Sequence, residues 1–138
     1  MVSFDVNYVG ILVAAIASMV IGMVWYGPLF GKTWMKMNNL KESDMNKMKK
    51  KGMTGTYIAS FAGSLVMAFV LVNVIMFAKA ADAMTGALVG FMLWLGFIAT
   101  TSMMPVLWQG KSMEAYLLDN GHMLLVMLAM GAILAVWV

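Results

Sequence analysis

Long uncharged stretches alternate with short charged segments along this chain. Four uncharged stretches occupy positions 6–31, 52–78, 83–110 and 120–138. The charged residues that separate them are Asp5, a block from Lys32 to Lys51, Lys79, Asp82, Lys111, Glu114 and Asp119. About 20 apolar residues in a helix cross a hydrocarbon core of roughly 30 Å. Each stretch is therefore long enough to cross a bilayer once and too short to cross it twice.

Helices are the structure that these stretches predict, because a chain in lipid must satisfy its backbone hydrogen bonds internally. The prediction is an all-α integral membrane four-helix bundle with antiparallel up-down topology, forming a single transmembrane domain over 1–138. The predicted helices are about 8–26, 56–78, 83–104 and 115–137. Pro28 is expected to end the first helix, and Pro105 to end or kink the third, since proline lacks the N–H of the helical ladder.

The segments between the predicted helices carry turn and cap signals. Residues 79–82 predict a tight turn, so that the second and third helices form a hairpin. Ser112 stands three residues before Ala115, at the position of an N-cap. Within the lysine-rich loop 32–54, Ser43 is a candidate cap for a short helix over 44–51 on the membrane surface, but a solvated loop whose charge fixes the topology is the favoured interpretation.

The lysines predict the orientation of the bundle. Eight of the nine lysines fall at one end and only Lys79 falls at the other. The positive-inside rule places the lysine-rich end in the cytoplasm and both termini outside. The side chains expected to contact lipid headgroups are Trp25, Lys32, Trp34, Lys36, Lys49, Lys50, Lys51 and Lys111.

Composition excludes several classes of protein. Of 138 residues, 63% are apolar and only 11% are charged, which excludes a soluble globular domain and a disordered chain alike. The absence of cysteine excludes disulfides, thiolate metal sites and a cysteine nucleophile. No arginine is present, and the two Gly-Lys-hydroxyl segments lack the earlier glycine of a phosphate-binding loop. Neither a nucleic acid nor a nucleotide is expected as a partner.

Two segments carry a family resemblance. Positions 25–35 read WYGPLFGKTWM and positions 121–137 read GHMLLVMLAMGAILAVW. Both are similar to signatures of a widespread family of small prokaryotic four-span membrane proteins known only as a domain of unknown function. His122 departs from that pattern, where an aromatic residue such as tyrosine is expected. The resemblance implies a prokaryotic cytoplasmic (inner) membrane and a multi-pass fold, and it implies no activity, catalytic residue or cofactor.

Small residues recur every four positions within the predicted helices, which predicts close approach of helix backbones. Such faces are expected to pack within the chain before they pack between copies. Trp94, near the middle of the membrane, is expected to fill a notch beside small residues, with its N–H near Ser18. The small residues assigned to helix packing are Ser18, Gly22, Gly86, Gly90, Gly131 and Ala135.

Asp119 and His122 form the one histidine–carboxylate pair, and they are the candidate metal ligands. The 18 methionines admit a second metal hypothesis, because thioethers suit Cu(I). The clusters that hypothesis would use are Met19/Met23, Met103–Met104 and Met123/Met127/Met130. Flexible core packing is the favoured interpretation of these methionines, and no metal or cofactor is predicted. A serine hydrolase is not expected either, since the predicted depths separate His122 from Ser60 and Ser64.

The sequence thus favours a non-enzymatic integral membrane protein that acts through helix–helix contacts. It would be a homo-oligomer or an accessory subunit of a larger membrane complex, with itself or other membrane-protein subunits as partners beside the lipid bilayer. The alternative is a small transporter or channel. In that case copies would assemble around a polar path formed by Asn73, Thr100, Thr101 and Ser102.

Overall fold

The computed structural model describes residues 2–137. Within that range the chain is helical without strands, and four helices are long and apolar enough to cross a membrane. This confirms the all-helical prediction and the number of candidate spans. The four spans are Tyr8–Leu29, Thr54–Phe77, Ala83–Trp108 and Met113–Val136.

The first span continues past Pro28 instead of ending at Tyr26. Its α-helical part is Tyr8–Val24, and Trp25–Leu29 continues it as a π-helical turn. The N–H of Phe30 donates to the Trp25 carbonyl five residues back, at 2.9 Å. A π turn already interrupts the regular ladder, so the missing N–H of proline is tolerated there.

The third span is interrupted just before Pro105, as predicted. It is α-helical over Ala83–Leu93 and π-helical over Trp94–Ala99, and a short helix, Met104–Trp108, follows a break. The break falls at residues 102–103. Hydroxyl side chains in this region donate to carbonyls of the preceding turn, which bends helices.

Two short helices lie between the first and second spans. One is Gly31–Met37, which the sequence analysis did not predict. The other, Glu42–Lys51, is called the lysine helix below. The prediction that Ser43 caps it was wrong: the Asp44 carboxylate accepts the Lys41 N–H at 3.0 Å instead. An ionised carboxylate is the stronger acceptor and also favours the positive end of the helix dipole.

The other two connections follow the predicted signals. Between the second and third spans the chain turns through Lys79 in the left-handed conformation, and the Asp82 carboxylate accepts the Thr85 N–H at 2.7 Å. The fourth span begins with Ser112, whose hydroxyl accepts the Ala115 N–H at 3.0 Å. The predicted N-cap at Ser112 is thus confirmed.

The fourth span lies at the centre of the bundle and contacts all three others. Its contacts with the third span pair residues near the start of the third span with residues near the end of the fourth. Gly86 meets Gly131, and Gly90 meets the Met127 carbonyl. The small residues at 86 and 90 therefore pack within the chain, as expected, and they let two backbones approach closely.

The first, second and fourth spans pack tightly at the end where the chain termini meet. Gly10 lies against Trp137, whose carbonyl accepts the Asn7 amide at 3.3 Å. The fully buried side chains there include Ala14, Ala68, Leu71, Ile75 and Met130. We call this end the terminal end of the bundle, and the opposite end the lysine-rich end.

Toward the lysine-rich end the second span leaves the bundle. Its buried residues lie between Ser64 and Ile75, whereas every residue of the run 54–60 is exposed. The buried residues of the first span likewise lie between Gly10 and Ser18. The first two spans consequently diverge, and space opens between them.

Candidate functional site

The divergence of the first two spans leaves a groove of about 700 Å³ in the lysine-rich half of the bundle. This volume lies within the roughly 300–1,000 Å³ of ordinary ligand pockets. The first span lines it with Ser18, Met19, Gly22, Met23, Tyr26 and Gly27. The second span contributes Tyr57, Ser60, Gly63, Ser64 and Met67, and the rest of the lining is Lys49, His122 and Met123.

Helical periodicity brings these side chains to one surface. Positions 18, 22 and 26 of the first span repeat every four residues, as do their neighbours 19, 23 and 27, so they share one face. Two glycines leave this surface without protruding side chains at their positions. A Cβ at Gly63 would meet nothing within 4 Å, and one at Gly22 would first meet His122 Nε2, at 3.4 Å.

The groove is closed at its deep end by two serines. The hydroxyl oxygens of Ser18 and Ser64 lie 3.3 Å apart, and both residues are buried. Beyond them the small side chains Ala14 and Ala68 are fully enclosed. The serine pair therefore satisfies two polar groups at the point where the first two spans come together.

Polar side chains concentrate at the open end of the groove. Lys49 reaches it from the lysine helix and Tyr57 from the second span. The Tyr26 hydroxyl donates to Asp119 Oδ1 at 2.6 Å, which ties the end of the first span to the fourth. Charge-assisted hydrogen bonds of this length are among the stronger ones in proteins, so this contact fixes the Tyr26 ring.

His122 lies between these polar groups and the apolar floor. Its ring centroid is 4.9 Å from that of Tyr26 and 6.4 Å from that of Trp25. Its Nε2 atom is buried and has no hydrogen-bond partner among the described residues. Buried polar atoms are almost always paired, so an unpaired one on a groove is a place where a ligand could bind.

The two candidate metal ligands, Asp119 and His122, both lie beside Tyr26. Asp119 is engaged by the Tyr26 hydroxyl, whereas the His122 imidazole lines the groove. Residues 2–137 contain no group of three or more histidine, aspartate or glutamate residues that could hold a metal ion. Of the methionines considered as copper ligands, Met19, Met23 and Met123 line the groove, while Met127 and Met130 lie in the core.

The predicted separation of His122 from Ser60 and Ser64 was wrong. All three line the groove, which the first and second spans leave open beside the face of the fourth span that carries His122. They nevertheless form no hydrogen-bonded pair in the described structure. The Ser64 hydroxyl is paired with Ser18, and His122 Nε2 is unpaired.

The side chains of the predicted polar path do not share a cavity. Asn73 lies at the terminal end, where its side-chain oxygen accepts the Ser3 N–H at 2.6 Å. The Thr100 and Thr101 hydroxyls donate to carbonyls of their own helix. Ser102 donates to Asn120 Oδ1 at 2.9 Å. These polar groups are satisfied locally, at both ends of the bundle.

Two tryptophans differ from expectation. The Trp94 N–H donates to the Asn120 carbonyl at 3.0 Å, so the predicted partner Ser18 was wrong. Trp25 was assigned to lipid headgroups, but its ring stacks on Phe30, with centroids 4.6 Å apart, and packs against Gly121. The lysines assigned to headgroups, Lys32, Lys36, Lys49, Lys50, Lys51 and Lys111, are all exposed.

The contribution of the second span to the groove lining was not predicted from the sequence. Tyr57, Ser60 and Ser64 recur at helical spacing among apolar residues, and Gly63 lies beside them. That pattern marks a polar face on a membrane helix and could have been noticed. The contribution of Lys49 could not, because it depends on how the lysine helix folds back toward the bundle.

Comparison with known proteins places the chain in a family. A family model described as protein of unknown function (DUF1761) matches residues 9–135, nearly the whole chain. The chain belongs to the DUF1761 family. This confirms the resemblance to an unknown-function family that the first and last spans suggested. No curated protein and no solved structure matches this DUF1761 member, so its function has to be argued from its own geometry.

Proposed function

We propose that this chain is a non-enzymatic membrane protein that binds an amphiphilic molecule from the bilayer in the groove between its first two spans. One observation carries the proposal: these spans diverge in the lysine-rich half and leave a mainly apolar groove, with its charged and aromatic polar groups at the open end and the hydroxyls of Ser60, Ser64 and Ser18 toward the closed end. An amphiphile in a bilayer has the same distribution, with a polar head at the interface and an apolar chain below it.

The proposed setting is a prokaryotic cytoplasmic membrane. Four spans of 22 to 26 residues suit the thickness of a bilayer. The up-down antiparallel arrangement is supported by contacts that join Gly10 to Trp137 and Tyr26 to Asp119. The lysine-rich end would face the cytoplasm, with both termini outside, because basic residues are retained on that side.

Binding is favoured over catalysis by the way the reactive side chains are used. Ser64 is paired with Ser18, and Asp119 is paired with Tyr26, so neither stands next to an activated partner. A nucleophile normally needs a base within hydrogen-bond reach. Half of the lining residues are methionine or glycine, which supply shape instead of reactivity.

The test is to fill the groove without disturbing the fold. In Gly63→Leu the new side chain enters open space, because a Cβ there meets nothing within 4 Å. Ala62→Leu is the matched control, since Ala62 is exposed and does not line the groove. Lipid that remains on the purified protein is measured by native mass spectrometry.

We expect wild type and Ala62→Leu to retain lipid that Gly63→Leu loses, with equal thermal stability of all three proteins. Equal lipid retention by Gly63→Leu and Ala62→Leu would refute binding in the groove. Circular dichroism of each variant verifies that the helices are intact.

A second proposal rests on the third span. This span packs almost entirely against the fourth, and side chains such as Met84, Leu88 and Met92 are exposed on its outer face. A helix with one neighbour in its own chain can accept another from a second copy or a larger complex. We therefore also propose that the protein acts through helix–helix contacts, as a homo-oligomer or an accessory subunit.

The test of this second proposal uses Gly96, where an added Cβ meets nothing within 4 Å. Gly96→Trp would block a neighbouring helix, whereas Val66→Trp places the same bulk on the exposed face of the second span. We expect the particle mass in mild detergent to fall to that of one chain only in Gly96→Trp. A wild-type particle of one chain without a partner would contradict the proposal.

A further inference from the structure

We infer that the groove selects an anionic phospholipid, with its phosphate at the open end near Lys49 and His122 and an acyl chain along the methionine-lined floor. This rests on the proposed function, since it names the ligand of the same groove. It adds a chemical selectivity that an apolar groove alone would not have.

The positive charge at the open end comes from the lysine helix. Lys49 lines the groove, and Lys47, Lys50 and Lys51 belong to the same short helix. Of the two acidic residues on this helix, Asp44 accepts the Lys41 N–H at its far end. Lysines near a membrane surface attract anionic headgroups. The groove therefore opens under a region of positive potential.

One acidic residue, Asp119, adjoins the open end of the groove through its contact with Tyr26. Asp119 is on the fourth span three residues before His122, and its carboxylate accepts the Tyr26 hydroxyl at 2.6 Å. It is not part of the groove lining. The polar side chains that do line the open end are Lys49, Tyr57, Tyr26 and His122, and of these Lys49, Tyr57 and His122 have donors that Asp119 does not occupy.

His122 supplies a donor that the protein leaves unused. Its Nε2 atom is buried without a partner, and Gly22 leaves the space in front of it free of a side chain. A phosphate oxygen in the groove would pair with an imidazole N–H at this position. Because Nε2 is buried, this pairing requires the imidazole to turn toward the space that Gly22 leaves free of a side chain.

The floor suits a flexible hydrocarbon chain. Met19, Met23, Met67 and Met123 line it. Methionine side chains are unbranched and flexible, so a surface built from them adapts to varied apolar shapes. The serine pair at the closed end limits how far a chain extends toward the terminal end.

The experiment compares two lipids and two lysines. The protein in detergent micelles is titrated with phosphatidylglycerol or phosphatidylcholine, and binding is measured by native mass spectrometry. Lys49→Gln is compared with Lys50→Gln, which removes the same charge from the neighbouring position outside the groove. His122→Phe tests the imidazole, and His122→Gln retains a donor at a similar place.

We expect phosphatidylglycerol to bind more tightly than phosphatidylcholine. Lys49→Gln should weaken phosphatidylglycerol binding about fivefold, which corresponds to about 1 kcal/mol for one lysine near an anionic lipid. Lys50→Gln should weaken it less than about twofold, because Lys50 does not line the groove and solvent and salt screen a charge that does not contact the lipid. His122→Phe should weaken it as well, and His122→Gln should restore part of the loss.

Equal binding of the two lipids, or equal effects of Lys49→Gln and Lys50→Gln, would overturn this inference while leaving the groove as a binding site. Loss of both lipids only in Gly63→Leu would then still support the proposed function. The two proposals would be refuted together if neither lipid bound and if Gly63→Leu did not change the amount of lipid retained on the purified protein. A protein segment bound in the groove, detected by cross-linking, would also overturn the inference.

Discussion

The close approach of the third and fourth spans at Gly90 gives a quantitative test of the packing. A Cβ added at Gly90 would fall on the Met127 carbonyl oxygen, well inside van der Waals contact. At Gly96, on the same span, an added Cβ meets nothing within 4 Å. Gly90→Ala and Gly96→Ala therefore add the same methyl group. At Gly90 it meets helix backbone, and at Gly96 it enters open space.

The expected magnitudes follow from this difference. Overpacking typically costs about 1–3 kcal/mol, and the upper end applies at Gly90 because the obstacle is helix backbone and cannot rotate away. Replacing glycine by alanine within a helix contributes about 0.5–1 kcal/mol in the other direction. Gly90→Ala should thus lose about 2 kcal/mol of unfolding free energy, and Gly96→Ala should gain up to about 1 kcal/mol.

Reversible unfolding in mixed micelles of dodecyl sulfate, followed by far-ultraviolet circular dichroism, measures both values. A gap of about 3 kcal/mol between the two variants is expected from the sum of these effects. Equal unfolding free energies of Gly90→Ala and Gly96→Ala would refute the close backbone contact between the third and fourth spans.

Three further predictions concern single hydrogen bonds. Asn73→Leu should release the start of the chain, since two hydrogen bonds to the Ser3 backbone are lost, and a cysteine placed at Ser3 should then react faster with a maleimide. Trp94→Phe should cost about 1 kcal/mol of unfolding free energy, because a backbone carbonyl loses its indole donor. The pKa of the Asp82 carboxyl lies below its ordinary value, because the Thr85 hydroxyl and then its backbone N–H bond to the carboxylate. The cap should therefore stabilise the fold fully above the unfolded pKa of about 4 and lose its effect as pH falls through the folded value, so the destabilisation by Asp82→Ala should vanish in acid.

Charge spacing was enough to predict the four spans, because hydrophobic length alone decides whether a helix can cross lipid. The cap at Ser112 and the packing of Gly86 and Gly90 against the fourth span also followed from short-range rules. Pro28 shows the limit of such rules. A π turn after Val24 let the helix pass the proline, and no local pattern distinguishes that outcome from a helix end.

The groove depended on information that local patterns lack. Its shape arises because the second span leaves the bundle beyond Ser64, and this divergence is a property of three spans packed together. The predicted depth of His122 in the membrane was wrong for the same reason. His122 was placed at the interface from the predicted start of its helix, whereas the structure puts it beside Gly22 and opposite the second span.

Photo-cross-linking with a diazirine-bearing anionic phospholipid tests the central claim, that the groove holds a membrane amphiphile, most directly. We expect adducts on Met19, Met23 or Met123 that an excess of unlabelled phosphatidylglycerol displaces. Adducts on Leu88 and Met92, which face outward on the third span, should resist displacement. Groove adducts no more displaceable than those on Leu88 would contradict the account.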